Sequence, residues 1–172
     1  MKKLMVLVAV SALAIASQAA QFAWGADRNG LSNYKNLTVY CVNGSDYTAA
    51  VAVLAAGGDN VASAFNAYVQ SSGPVANNGA IAATVTSYDA ESTAAFFVFA
   101  DNLIANGSTY DTTGAIDVSG YLFTPPDSAP ATLKLTNANF TTTEQPIGVP
   151  EPTSGLLLAL GVAGLALRRR RA

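Results

Sequence analysis

Thirteen uncharged residues, Gly155 to Leu167, run directly into four arginines, Arg168 to Arg171. A globular core accepts such a segment poorly, because four adjacent cations at its end would have to be paired or drawn into water together. Counted from Thr153, the segment is fifteen residues long, which makes ~22 Å of helix against the ~30 Å of a bilayer's hydrocarbon. The helix is short for a span. Arginine stems that snorkel and a bilayer that thins locally make up the difference. The positive-inside rule then leaves the arginines in the cytoplasm and everything before Thr153 on the other side. Residues 153–167 are therefore expected to be a membrane helix and residues 168–171 its basic stop.

The other end carries a matching signal. Lys2 and Lys3 precede the apolar run Leu4 to Ile15, and Ser17-Gln18-Ala19 supplies a small-x-small cleavage site. This is the pattern of a secretory signal peptide. It is too short for a permanent span of ~20 residues. Residues 1–19 are expected to be removed by signal peptidase after passage through the Sec export machinery, with the cut between Ala19 and Ala20. Between the two ends lies a body, residues 20–148, in which Arg28, Lys35 and Lys134 stand against ten acids, a net charge of −7. Phosphate backbones are bound by clustered Lys and Arg, so no nucleic-acid partner is expected.

Pro150-Glu151-Pro152 sits at the junction of body and helix. The two prolines fix φ and remove backbone donors, which holds Glu151 in an extended segment that an enzyme can bind as a strand. In combination with the signal peptide, the apolar helix and the arginine tail, residues 149–172 resemble the PEP-CTERM sorting signals of Gram-negative bacteria. The resemblance implies recognition of Pro150, Glu151 and Pro152 by an exosortase, a membrane-embedded transpeptidase, with Arg168, Arg169, Arg170 and Arg171 retaining the precursor in the membrane. It further implies delivery of the body to the cell surface or to an extracellular polysaccharide matrix. It implies nothing about how the body folds. No LPxTG-like sequence precedes the helix, which argues against a sortase signal of the Gram-positive kind.

In the body, Asn-Gly at 29–30, 43–44, 78–79 and 106–107 marks turns, since this dipeptide favours positive φ. Strands are expected over residues 21–25, 37–42, 80–88, 93–100, 115–123 and 132–140. Phe96-Phe97-Val98-Phe99 is a continuous apolar run, as in a central strand covered on both faces. Tyr47 to Ala56 is alanine-rich, with Ser45 or Asp46 to cap it and Gly57-Gly58 to stop it, and reads as a helix. Val61, Phe65, Tyr68 and Val69 share one helical face, which predicts a second helix capped by Asp59 or Asn60 and ended by Gly73-Pro74. The expected fold class is α+β: one antiparallel β-sheet domain over 20–140 with two short helices in its N-terminal half, flanked by the signal helix and the membrane helix. Residues 141–148 are polar and read as a mobile linker without core residues.

The chain has no histidine. That removes Ser-His-Asp and Cys-His catalysis and histidine-ligated metals. No phosphate-cradling glycine loop followed by Lys is present. No DxDxDG-like spacing points to calcium. No cofactor or metal is expected. Cys41, the single cysteine, cannot form an internal disulfide, and it lies in an apolar run, as a buried core residue would. Carboxylates are the remaining catalytic candidates, among them Asp89, Glu91, Asp101, Asp111 and Asp117. A glycosidase would set two of them across a concave pocket. A glycan-binding adhesin would instead gather Trp24, Tyr34, Tyr40, Tyr47, Tyr88, Tyr110 and Tyr121 into a flat exposed platform. Caps, loops and core packing account for both sets of residues, so the expectation is a structural body without enzymatic activity.

Overall fold

The computed structural model describes residues 20–26, 30–34, 36–75, 91–124, 127, 129, 131–140 and 142–149. The strand expected over 80–88 lies outside them, as do both terminal helices. Among the described residues no helix is long and apolar enough to cross a membrane. The described body is α+β, with two sheets and two short helices.

Strands β1 (Gln21–Ala26), β2 (Thr38–Asn43), β3 (Val69–Pro74), β4 (Thr93–Phe99), β5 (Thr109–Asp117), β6 (Leu122–Phe123), β7 (Thr132–Leu135) and β8 (Thr142–Pro146) are joined by helices α1 (Tyr47–Ala56) and α2 (Val61–Asn66) between β2 and β3. The larger sheet is antiparallel, in the order β3-β2-β4-β5-β8. The smaller has the order β6-β1-β7, with β1 antiparallel to β6 but parallel to β7. The expected single antiparallel sheet is thus two sheets, one of which contains a parallel pair.

The strand expected over 93–100 forms as β4 up to Phe99, Ala100 starting a 3-10 turn, and it is covered on both faces as expected. Side chains of a strand alternate between faces. Phe96 and Val98 pack with Phe22, Trp24, Val39, Cys41 and Leu135 between the two sheets. Phe97 and Phe99 pack on the opposite face against Leu54 of α1 and Phe65 of α2. The domain is therefore layered as small sheet, large sheet, helix pair, with an apolar core on each side of β4. Edge-on aromatic pairs tie each core together: Trp24 and Phe96 have ring centroids 5.1 Å apart, and Phe65 lies 5.2 Å from Phe97 and 5.1 Å from Phe99. Such pairs add about 0.5–1.5 kcal/mol each beyond the area they bury.

Helix α1 has the expected bounds, and Gly57 ends it at φ +62° with its N–H on the Val53 carbonyl. The capping expected from Ser45, Asp46 and Asn60 is not realised: neither helix has a side-chain cap at its start. A 3-10 turn, Gly44–Asp46, leads into α1, and its own Ser45 N–H and hydroxyl go to the Glu91 carboxylate at 3.0 and 2.6 Å. The second helix is shorter than predicted. Val61 and Phe65 are buried as its face required, but residues 69–74 form β3 on the side of β2 away from β4. Ser71, Ser72 and Gly73 are weak helix formers, and the unpaired side of β2 offers them a full ladder.

Two further strands differ from expectation. The one predicted over 115–123 begins earlier, at Thr109, and ends at Asp117, whose carboxylate accepts the Ser119 N–H at 2.8 Å. That turn carries the chain from the large sheet to the small one, so Leu122 and Phe123 pair with β1 instead. The strand predicted over 132–140 stops at Leu135, where Thr136 and Asn139 form a reciprocal capping box around a 3-10 turn.

Candidate functional site

The sequence places the functional signals at the ends of the body, so the manner in which the chain leaves the body decides what a processing enzyme meets. Pro150, Glu151, Pro152 and Arg168 to Arg171 lie outside the described residues, as does Ala19. Ala20 is half-buried and immediately precedes β1. The backbone that precedes the motif is described from Thr142 to Val149.

Of the linker expected over 141–148, residues 142–148 are a built part of the fold. Residues 142–146 form β8 alongside β5, with Thr109 opposite Pro146 and Tyr110 opposite Gln145. Polar composition misled because β8 lies at the end of the sheet order, where Glu144, Gln145 and Pro146 are exposed and proline is tolerated. Ile147 is 1% exposed and belongs to the helix-side core, a burial that stabilises by about 1.5–3 kcal/mol. Its N–H donates to the Ser108 carbonyl at 2.7 Å and its carbonyl accepts the Gly107 N–H at 3.1 Å. Gly148 then donates its N–H to the Leu54 carbonyl of α1 at 2.8 Å, satisfying an acceptor that the helix end leaves open.

The contact at Gly148 has no room for a side chain. A Cβ there would lie 1.9 Å from the Ala55 carbonyl oxygen, and a Cβ on Gly57 would lie 1.8 Å from the carbonyl oxygen of Gly148. Asn106 braces the same corner by accepting the Gly58 N–H at 2.8 Å. Val149 follows with 65% of its surface exposed.

A second feature is a cleft of about 310 Å³ at the Asp101 end of β4, lined by Tyr34, Leu37, Asp101, Tyr110, Asp111 and Glu144 among others. Asp111 organises it: one carboxylate oxygen accepts the Tyr34 hydroxyl and the other accepts the Glu144 N–H. Burial, followed by the hydrogen bond to and the charge of Asp111, pushes the Tyr34 hydroxyl well above the usual phenol range. The walls hold left-handed backbone at Asp101 (φ +53°) and Glu144 (φ +55°), with Asn102 (φ +58°) beside them. Asn102 is held by its side-chain oxygen, which accepts the Thr38 N–H at 2.5 Å.

Of the carboxylates singled out from the sequence, Asp101 and Asp111 both line this cleft, as does Glu144, which sequence reasoning had passed over. Asp101 and Glu144 are exposed. Glu91 holds Ser45, and Asp117 holds Ser119, whose hydroxyl and N–H keep that carboxyl below its usual range. Asp89 lies outside the described residues. Among the described residues no three potential metal ligands converge.

The tyrosines and Trp24 do not form a platform among the described residues. Trp24 is fully buried, with its indole N–H on the Ser71 hydroxyl at 3.0 Å, and Tyr110 is buried under the helices. Tyr34, Tyr40, Tyr47 and Tyr121 are half-buried against one core or the other, and Tyr88 lies outside the described residues. Cys41 is fully buried in β2.

No curated protein and no solved structure matches the chain. The family model described as the PEP-CTERM protein-sorting motif matches residues 148–171. The match begins at Gly148, the residue seated on α1, and runs through the Pro-Glu-Pro segment and the four arginines. This protein therefore carries a PEP-CTERM sorting signal, the mark of an exported protein that an exosortase processes.

Proposed function

We propose that the chain is the precursor of a structural protein of the cell surface or extracellular matrix, exported by Sec, freed of residues 1–19 by signal peptidase, and held in the inner membrane by 153–167 until an exosortase acts at Pro150-Glu151-Pro152. The observation that carries the reading is the sorting-motif match at 148–171, which starts where the packed body ends. The body itself is read as having no enzymatic activity. In support, the chain lacks histidine, both oxygens of Asp111 already accept protein donors, and Asp101 and Glu144 are exposed rather than enclosed.

Intact-mass measurement of the protein from its native host tests the sorting reading. The expected mass lacks residues 1–19 and Arg168–Arg171, and Glu151→Ala leaves precursor in the inner membrane. Recovery outside that membrane of a chain still bearing the arginines would overturn it.

A second reading, a glycan-binding module, is favoured by the cleft, where exposed carboxylates could accept sugar hydroxyls beside the half-buried Tyr34 ring. Binding to extracellular polysaccharide of the native organism, lost in Tyr34→Ala and Glu144→Ala, is its expected result. Equal binding by all three proteins would reject it.

A further inference from the structure

We infer that the seat of Gly148 on helix α1 sets the upstream limit of processing, so that the exosortase cuts downstream of Gly148 and the mature protein keeps β8 and ends at Val149 or beyond. The inference rests on the reading that an exosortase processes this chain, and adds which residues determine where it can act.

An enzyme that cuts a peptide bond takes the chain around it as an extended strand, with backbone N–H and carbonyl groups free to pair. From Thr142 to Pro146 the chain is laddered to β5. At Ile147 both backbone groups are engaged, by Ser108 and Gly107, and at Gly148 the N–H is held by Leu54. Presenting any bond in this stretch means withdrawing Ile147 from the core. Beyond the buried Ile147, Val149 is the next residue to carry a side chain, and it stands clear of the body. The paired glycines explain why the seat is tight. Gly148 does not have positive φ, so backbone freedom does not account for a glycine there, whereas the 1.9 Å approach to the Ala55 oxygen does. Gly57 meets the same limit from the other side.

Chemically, the bond that breaks releases the tail as a new amine and leaves an acyl group on the body. That group ends as a carboxylate if water accepts it, or as an amide if an amine does, and the mature mass distinguishes the two. Gly148 and Gly57 are positioning residues: they touch no reacting atom and act by withholding the chain before it.

The test has two arms. In the first, purified full-length protein is digested briefly with proteinase K and the C-termini are read by mass. Wild type is expected to end at Val149 or later, while Gly148→Val and the milder Gly148→Ala are cut within 142–148 at least about tenfold faster, in proportion to how often the seat opens. Leu135→Ala, which weakens the other core, is expected to lower stability without opening 142–148. In the second arm the same proteins are expressed in the native host and their mature ends are read. Wild type ending at or before Gly148, or glycine variants that fold yet show unchanged ends in both arms, would overturn the inference alone. An exported chain that keeps Arg168–Arg171 would overturn the sorting reading, and this inference with it.

Discussion

Phe96 and Phe97 are neighbours in the chain and lie in different cores: Phe96 packs against Trp24 between the sheets, and Phe97 against Phe65 beneath the helices. The pleat of β4 makes this unavoidable, because successive side chains leave a strand on opposite faces. Both residues are fully buried. Each anchors one side of the layer on which everything else is mounted, including β5 and, through it, β8.

Phe96→Ala and Phe97→Ala are each expected to lower unfolding free energy by about 3–5 kcal/mol, the usual range for emptying a buried phenylalanine site. They should differ in a second measurement. Trp24 is the single tryptophan, and its ring is 5.1 Å from that of Phe96. The near-UV circular dichroism of folded Phe96→Ala should change at tryptophan wavelengths, while that of Phe97→Ala should not. Equal change in both would contradict the separation of the cores.

Removing the sorting signal should leave the body intact, whereas removing β8 should not. A chain of residues 20–148 is expected to match the stability of residues 20–172 within about 0.5 kcal/mol in urea titrations, since it loses no buried contact among the described residues. A chain ending at Thr141 loses the β8 ladder and the burial of Ile147, and should be weaker by about 3 kcal/mol or more. Similar midpoints for the two truncations would mean that β8 and Ile147 contribute nothing.

Stability should fall at alkaline pH. The Tyr34 hydroxyl is raised first by burial and then by Asp111, and Tyr110 is raised by burial and by Tyr47. With folded values above the unfolded value of 10.0, the unfolded chain releases protons that the folded chain keeps, so stability is complete below pH 10 and declines above it. Urea midpoints between pH 8 and 11.5 should show this decline. Tyr34→Phe should shallow it, and should also cost about 1 kcal/mol at neutral pH by depriving Asp111 of a donor. A slope unchanged by the substitution would refute the Tyr34 assignment.

Cys41 should be silent toward thiol reagents in the native state. It is fully buried in β2, between Ser71 of β3 and Phe96 of β4, and exchange with a disulfide reagent requires an accessible thiolate. One equivalent should react rapidly in concentrated guanidinium chloride and essentially none without it over the same interval. Rapid native labelling would place Cys41 at the surface.

What could be read from sequence was local or periodic. The Pro-Glu-Pro segment and the apolar run with its arginines are contiguous, so their chemistry needs no partner to be recognised. The bounds of α1 were equally legible, because alanine-rich propensity and the Gly57-Gly58 stop agree. The run of Phe96 to Phe99 announced a strand covered twice, since no other element buries four consecutive apolar side chains so simply.

What tertiary structure alone decided were pairings between residues distant in the chain. Propensity and period gave Val61, Phe65, Tyr68 and Val69 one helix, yet the open side of β2 took residues 69–74 as a strand. Nothing in Thr142 to Gly148 announces a partner, and the stretch became sheet and core because β5 and the end of α1 offered hydrogen-bonding groups and the helix-side core took in Ile147. Glu144 and Tyr34 likewise share a cleft only because Asp111 reaches both. Sequence thus determined where this protein is addressed, because an address is carried by consecutive residues. The fold determined where the addressed body ends, because that depends on which backbone groups are already paired.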